Sequence, residues 1–318
     1  MRLTRSVSLA LTPLLLLAAA SAQEVKPVEK PFLWIVEGGE KPSFLYGTVH
    51  VPDERVTTLP KVVEEALDLC DALYCELPMD QASQMGAVGK MMLPPGKTLK
   101  DVVGQELFDR TAKVLKAKGL PGLVPPLTQF KPWALAAQIQ LLDFAPDLQA
   151  GKQPLDALLY SRAQKAHKEV GGLETMDEQI GAMEGLDGVE MLRTTVEQEE
   201  KSAKEGKRSI DELLDLYLAG DEAALVEMAE KTQEGASQEF QAAFKKLLVV
   251  DRNKRMAERI AAKLQENPGR SYFFAVGTLH HVGEEGVVAL LEKQGLKVRR
   301  LTAADAGQLM PEAAGAPR

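Results

Sequence analysis

The sequence predicts an α/β fold: a mixed central sheet built from two related strand–GxxH–helix–strand halves, with a helical region inserted between them. Three observations lead there. FLYGTVH (44–50) and FFAVGTLH (273–280) each close an apolar run with Gly-Thr-x-His. Each is followed by a polar loop, a segment with helical spacing and a second short apolar run. Between them, residues 184–266 are heavily charged yet apolar at helical intervals.

The chain opens with MRLTRSVSLALTPLLLLAAASAQ. Arg2 and Arg5 precede an apolar stretch from Val7, and Ala20, Ser21 and Ala22 are the small residues that signal peptidase accepts. The run is too short for a comfortable bilayer span, so residues 1–22 read as a cleaved secretory signal. The mature chain is then periplasmic or secreted, with no stable membrane insertion and no cysteine after the cut to carry a lipid. FLWIVE and SFLYGTV, separated by GGEKP, form a hairpin. Val63, Ala66, Leu67 and Cys70 share a helical face after Pro60, which suits a first turn. ALYCEL is the next strand, with Glu76 near its end. Phe44 to Leu77 thus has the order of a strand–helix–strand unit, whose ligand groups gather beyond the strand carboxyl ends. SYFFAVG, VVALLEKQ and LKVRRL repeat that order, with Gly295 stopping the helix. The repetition implies an internal duplication whose two motif strands lie close together in one sheet.

Within the insertion, which spans about 78–266, the Gly-, Pro- and Met-rich stretch 78–130 is expected to cover the sheet edge. A helix starts after Pro132. Another turns Leu155, Leu158, Leu159 and Ala163 inward and leads to a short strand ending at Glu174. SIDE (209–212) has the form of a capping box. The domain occupies 23–301, and 302–318, which lacks periodicity, is expected to be a disordered tail. The formal net charge of −8 argues against nucleic acid and against anionic membranes as partners. Cys70 and Cys75 read as small buried residues; a disulfide between them is chemically open to an exported protein, but the fold does not depend on it.

Of the four histidines, His50 and His280 occupy the same place in the repeated motif. Imidazoles at glycine-loosened strand ends, joined by strand-end carboxylates Glu76 and Glu174, suit a divalent metal; mixed nitrogen and oxygen donors fit Mn, Co, Fe or Zn. The competing reading makes each threonine and histidine a loop cap and pairs each glutamate with a lysine. His167, in RAQKAHKE, belongs on a solvated face. His281 would point away from His280 if the strand continued, and the glycine-to-histidine spacing matches His50 with His280. Arg252, Arg255 and Arg259 lie near one helix face; at the helix start, Arg252 could meet an oxyanion or a site carboxylate. No HExxH, GxSxG, P-loop or CxxC pair is present.

The blocks YGTVH, DALYCE, KPW, LDALLYSRAQKAHKEVGGLETMDEQ, DRNKRMA and FFAVGTLHHVGEEGVVALLEKQGLKV, in this order from about Leu33 to Leu301, resemble the TraB/GumN family, whose animal relatives are Tiki-like metalloproteases. The resemblance implies a mixed α/β fold with two related halves and a metal-dependent, peptidase-like hydrolase that uses a metal-activated water on a peptide or protein substrate. Carried over, Gly47 with His50 and Gly277 with His280 are the paired motifs. Glu76, Glu174, Arg252 and Asn253 fall at catalytic positions, and His50, His280 and Glu174 at those holding a divalent ion (Mn, Co or Zn). His281 departs from the family habit of an apolar residue after the motif histidine. Distant relatives include haem-iron-binding and erythromycin esterase-like proteins, so the alternative is a non-catalytic binding or inhibitory protein for metal or haem on the same scaffold.

Overall fold

The computed structural model describes residues 28–309 apart from 38, 119–127, 209 and 233. The signal segment, the first residue of the SIDE box and the last nine residues of the tail lie outside the described residues.

Strands β1 (Leu33–Glu37), β2 (Ser43–Thr48), β3 (Ala72–Cys75), β4 (Glu169–Gly172), β5 (Tyr272–Gly277) and β6 (Lys297–Arg300) form one sheet in the order β4-β3-β5-β2-β1-β6. The first four in that order run parallel, and β1 is antiparallel to both of its neighbours. FLY within SFLYGT and the whole of YFFAVG are continuous apolar runs because both strands are covered on both faces, as parallel strands require. β2 and β5 are direct neighbours, as the repeated motif predicts, but Thr48 rather than Gly47 stands opposite Gly277. The two motifs are therefore one residue out of step. The returning strands also diverge, β3 landing beyond β5 and β6 beyond β1.

The helices are α1 (Glu54–Thr57), α2 (Lys61–Leu69), α3 (Gln81–Met91), α4 (Leu99–Ala117), α5 (Pro132–Ile139), α6 (Ala145–Gln149), α7 (Leu155–Lys165), α8 (Met176–Glu184), α9 (Gly188–Glu205), α10 (Asp211–Ala219), α11 (Glu222–Lys231), α12 (Gln238–Phe244), α13 (Asp251–Glu266), α14 (Thr278–His281) and α15 (Val287–Lys293). On one sheet face, Val63 and Leu67 of α2 and Leu155 and Leu159 of α7 pack on Phe44, Leu73 and Phe273. On the other, Leu214, Leu225, Met256, Ile260 and Leu291 of α10, α11, α13 and α15 pack on Leu45, Phe274 and Val276. Burying each such side chain contributes about 1.5–3 kcal/mol, so these two layers together hold the strand ends rigid.

Three expectations are corrected. Within the described part of 78–130, Pro78 lies against Gly172 of the edge strand β4, but α4 packs with α5 and α9 instead, through Leu107, Leu115, Leu135, Ile139, Leu192 and Val196. Both sheet faces are already occupied, so the apolar stripe of α4 finds its partner in other helices. Leu158 is only half-buried, while Asp156 and Tyr160 join the inward face of α7. The first residues of the tail are docked: Thr302 caps the turn Ala303–Asp305, Gly307 N–H donates to Glu65, and Leu309 packs on the core. Cys70 and Cys75 are buried free thiols. Among the described residues, no helix is long and apolar enough to cross a membrane.

Candidate metal centre

Parallel strands put their carboxyl ends on one sheet edge, and His50, Glu76, Glu174 and His280 leave β2, β3, β4 and β5 there. Glu76 is the hub. Its Oε1 accepts the Gly277 N–H at 2.7 Å and stands 3.8 Å from His50 Nε2 and 4.0 Å from His280 Nε2. Its Oε2 accepts from Arg252 Nη2 at 2.7 Å and from Gln179 Nε2 at 3.2 Å. Both histidines are tied back through their other nitrogen. Nδ1 of His50 donates to Asp156 Oδ2 at 2.7 Å, and Nδ1 of His280 donates to Asn253 Oδ1 at 2.6 Å. Asn253 Nδ2 donates to the Glu285 carbonyl, which fixes its amide orientation and makes Oδ1 the acceptor. The arrangement leaves both Nε2 atoms facing Glu76, as when outer partners orient histidine ligands.

The two motif glycines do different work. A Cβ on Gly277 would lie 2.9 Å from Glu76 Oε1, 3.5 Å from His50 Nε2 and 3.6 Å from His280 Cδ2. Its missing side chain is the space on which the three groups converge. A Cβ on Gly47 would instead meet Phe32 Cβ and Thr278 Oγ1, both at 2.8 Å, so this glycine permits β2 to pack closely on Phe32, just before β1, and on the start of α14.

Arg252 and Asn253 stand in the first turn of α13, which continues directly from a π-helical segment at Lys245–Val250. Arg252 Nε donates to Glu174 Oε2 at 2.8 Å, and its Nη1 donates to His280 Nε2 at 3.1 Å. Arg255, one turn on, donates to the other Glu174 oxygen from Nε at 3.2 Å and from Nη2 at 2.6 Å. The family resemblance implies Glu174 as a metal ligand. Its side chain is wholly buried, both of its oxygens are engaged by guanidinium groups, and neither motif histidine is among its partners. Glu76 occupies the place facing the histidines instead. His167 is exposed, in agreement with a solvated face. His281 is buried against Trp34, with ring centroids 5.2 Å apart, and it does not join the cluster.

The charges follow from these contacts. Burial opposes ionisation of Glu76, but the two histidines, Arg252 and the Gly277 N–H outweigh it and hold its carboxyl well below the usual range. Burial pushes His280 down to about 4, so its ring is neutral with a lone pair on Nε2. Asp156 raises His50, whose side chain is 57% exposed, so that water screens the pairing. Burial disfavours the Arg252 cation, yet Glu76 and Glu174 keep it charged.

Asp156 and Gln179 escape a reading of motifs alone. The signal for Asp156 is an acid on the same helical stripe as Leu159, Tyr160 and Ala163, all of them buried. Gln179 lies in α8, five residues after Glu174, and carries no pattern that marks it.

A family model described as TraB/PrgY/gumN matches residues 32–300, most of the chain. The chain belongs to the TraB/PrgY/gumN family. It is 27% identical over 315 residues to the metalloprotease TIKI1 of Danio rerio, covering 86% of this chain and 63% of that protein. It is 25% identical to the metalloprotease TIKI1 of Homo sapiens, covering 88% and 64%, and 26% identical to the metalloprotease TIKI homolog of Nematostella vectensis, covering 84% and 66%. The chain thus spans less than two thirds of these relatives' own length. No solved structure matches it.

For this TraB/PrgY/gumN chain, the donors can be tested against a divalent ion. Among the described residues, no three His, Cys, Asp or Glu side chains already form a closed metal-binding group. The reason is visible: Glu76 stands nearly two metal–ligand bonds from each histidine, and Arg252 reaches the Nε2 of His280. Two bonds of about 2.0–2.2 Å span such separations. Two imidazole Nε2 atoms turned towards one point, an ionised carboxylate and a side-chain-free space at Gly277 fit a divalent cation, which would have to displace the proton that Asp156 favours on the His50 ring.

Proposed function

We propose that this chain is an exported, metal-dependent hydrolase of peptide bonds, with Mn, Co or Zn held by His50 Nε2, His280 Nε2 and Glu76. The convergence of both Nε2 atoms on Glu76 Oε1, beside a glycine that leaves the space open, carries this reading. The names of the metalloprotease relatives support peptide or protein as the substrate class, and the apolar leader at 1–22 supports export.

A bound divalent cation supplies Lewis-acid polarisation and acidifies water. The chain's own residues do the rest. Glu76, held ionised, serves as a ligand; a carboxylate with so low a pKa is a weak proton acceptor and a poor general base. His50, on the exposed side of the cluster, faces the direction from which substrate arrives. Arg252 keeps a positive charge where a developing oxyanion would need one. Glu174 acts through the arginines, fixing Arg252 and Arg255 against α13.

The test is metal analysis of the purified chain together with turnover of a peptide library, for wild type, His50→Ala and His280→Ala. Loss of both metal and turnover in each variant supports the reading. Unchanged metal content and turnover overturn it. Metal loading without turnover of any peptide would point to the non-catalytic binding protein.

A further inference from the structure

Asp156 is buried to 3% exposure, on a stripe of α7 that is otherwise apolar. A buried carboxylate is tolerated only where donors compensate for its lost hydration. Both of its donors come from the first motif. Thr48 Oγ1 donates to Oδ1 at 2.6 Å, and His50 Nδ1 donates to Oδ2 at 2.7 Å. One carboxylate therefore holds both polar side chains of Gly-Thr-x-His. The second motif is wired differently: Thr278 Oγ1 donates to the Thr48 carbonyl at 3.0 Å, and His280 is held by Asn253.

We propose that Asp156 is a positioning residue that fixes the His50 ring with Nε2 towards Glu76. The proposal rests on the reading of this edge as a metal centre. An imidazole carries its two nitrogens on opposite sides of the ring, so anchoring Nδ1 determines where Nε2 points. His50 needs the anchor because its side chain is 57% exposed and packing alone does not confine it. His280, at 13% side-chain exposure, is enclosed as well as hydrogen-bonded. The geometry is two-sided. α7 packs on one face of the sheet and α13 on the other, so the rings of adjacent strands are aimed at one point from opposite layers. Thr48 completes the device by tethering Asp156 to the end of β2, which keeps the anchor and the ring in one frame.

The experiment titrates Co²⁺ alone into wild type, Asp156→Asn, His50→Ala and the double variant, following visible absorption, and compares crystal structures of metal-free wild type and Asp156→Ala. Asp156→Asn is nearly isosteric and keeps the fold testable if Asp156→Ala is unstable. Its Co²⁺ affinity is expected to fall about 10–100-fold, and adding it to His50→Ala is expected to weaken binding no further. In Asp156→Ala, or in Asp156→Asn if the alanine variant does not fold, the His50 ring is expected to turn Nε2 away from Glu76. Wild-type Co²⁺ affinity in Asp156→Asn, or an undiminished loss in the His50→Ala background, overturns the proposal. A wild type that takes up no Co²⁺ overturns the metal reading instead. The ring orientation then decides the role of Asp156 by itself: a ring that swings free upholds it, and one that stays in place overturns it.

Discussion

Arg252 Nη1 lies 3.1 Å from His280 Nε2. A guanidinium can only donate, so Nε2 is the acceptor and the ring proton sits on Nδ1, where Asn253 receives it. The same guanidinium bridges the two buried carboxylates of the site, Glu76 and Glu174. Arg252 thus neutralises the centre while holding the lone pair that a cation would use. Metal uptake at His280 therefore requires this contact to give way.

Removing Arg252 leaves Glu76 and Glu174 buried with fewer partners. Arg255 still pairs with Glu174, so the deficit falls mainly on Glu76. Breaking a buried ion pair from one side costs about 3–5 kcal/mol. Arg252→Gln is expected to lower stability by that amount, read from urea midpoints on metal-free protein. A loss below about 1 kcal/mol would show that the network contributes little to the fold.

The two motif glycines separate stability from site integrity. Gly47→Ala forces a methyl against Phe32 Cβ at 2.8 Å and the Thr278 backbone at 3.1 Å, and is expected to cost about 1–3 kcal/mol through strain between β2 and its neighbours Phe32 and α14. Gly277→Ala places its methyl among Glu76, His50 and His280. It is expected to abolish metal binding and peptide turnover with less loss of stability, because side chains rather than backbone must move. Thermal melts and metal analysis of both variants check the contrast; equal effects on both readouts would refute it.

Much of this arrangement can be read from the sequence. Continuous apolar runs such as YFFAVG mark parallel strands covered on both faces, and the doubled Gly-Thr-x-His marks their shared edge. What a sequence does not carry is which polar atoms meet. Glu76 and Glu174 look alike as strand-end acids, yet one faces the histidines and the other is saturated by arginines. Asp156 reaches His50 from 106 residues away, and periodicity shows only that its helix has an acid on its buried stripe. The Gly-, Pro- and Met-rich composition of 78–130 likewise does not say that α4 packs on α5 and α9 rather than on the sheet.

The buried titratable groups give the metal-free protein an acid-sensitive stability. Glu76 ionises more readily folded than unfolded, so its contribution is present above its ordinary value of 4.5 and disappears as pH falls below that towards the depressed folded value. Burial holds His280 at about 4 and His281 at about 3, while their unfolded forms take up protons near 6.5. The unfolded chain therefore binds more protons below pH 6.5, and stability falls there by on the order of 1–3 kcal/mol for each histidine. His50 acts the other way: Asp156 raises it to about 10, so its contribution is full below 6.5 and fades as the pH rises through 10, weakened by solvent screening. Urea midpoints from pH 4.5 to 6.5 in chelator are expected to rise with pH. A flat profile would contradict the burial of these groups.

His281 offers the sharpest version of that test. Its ring packs on Trp34 and is 1% exposed, and neither nitrogen closes a hydrogen bond, although the backbone of Tyr46 and Val276 lies beside it. A polar ring in such a place gains nothing from its nitrogens and resists protonation. His281→Phe keeps the ring contact and removes the titrating group. Its stability at pH 7 is expected to lie within about 1.5 kcal/mol of wild type, as for a volume-conserving change. At pH 5 wild type should have lost about 1–2 kcal/mol that the variant retains, so the gap between them shifts in favour of phenylalanine. Co²⁺ affinity should be unchanged, because His280 and not its neighbour presents Nε2 to Glu76. A variant that loses Co²⁺ while remaining folded would transfer the ligand role to His281.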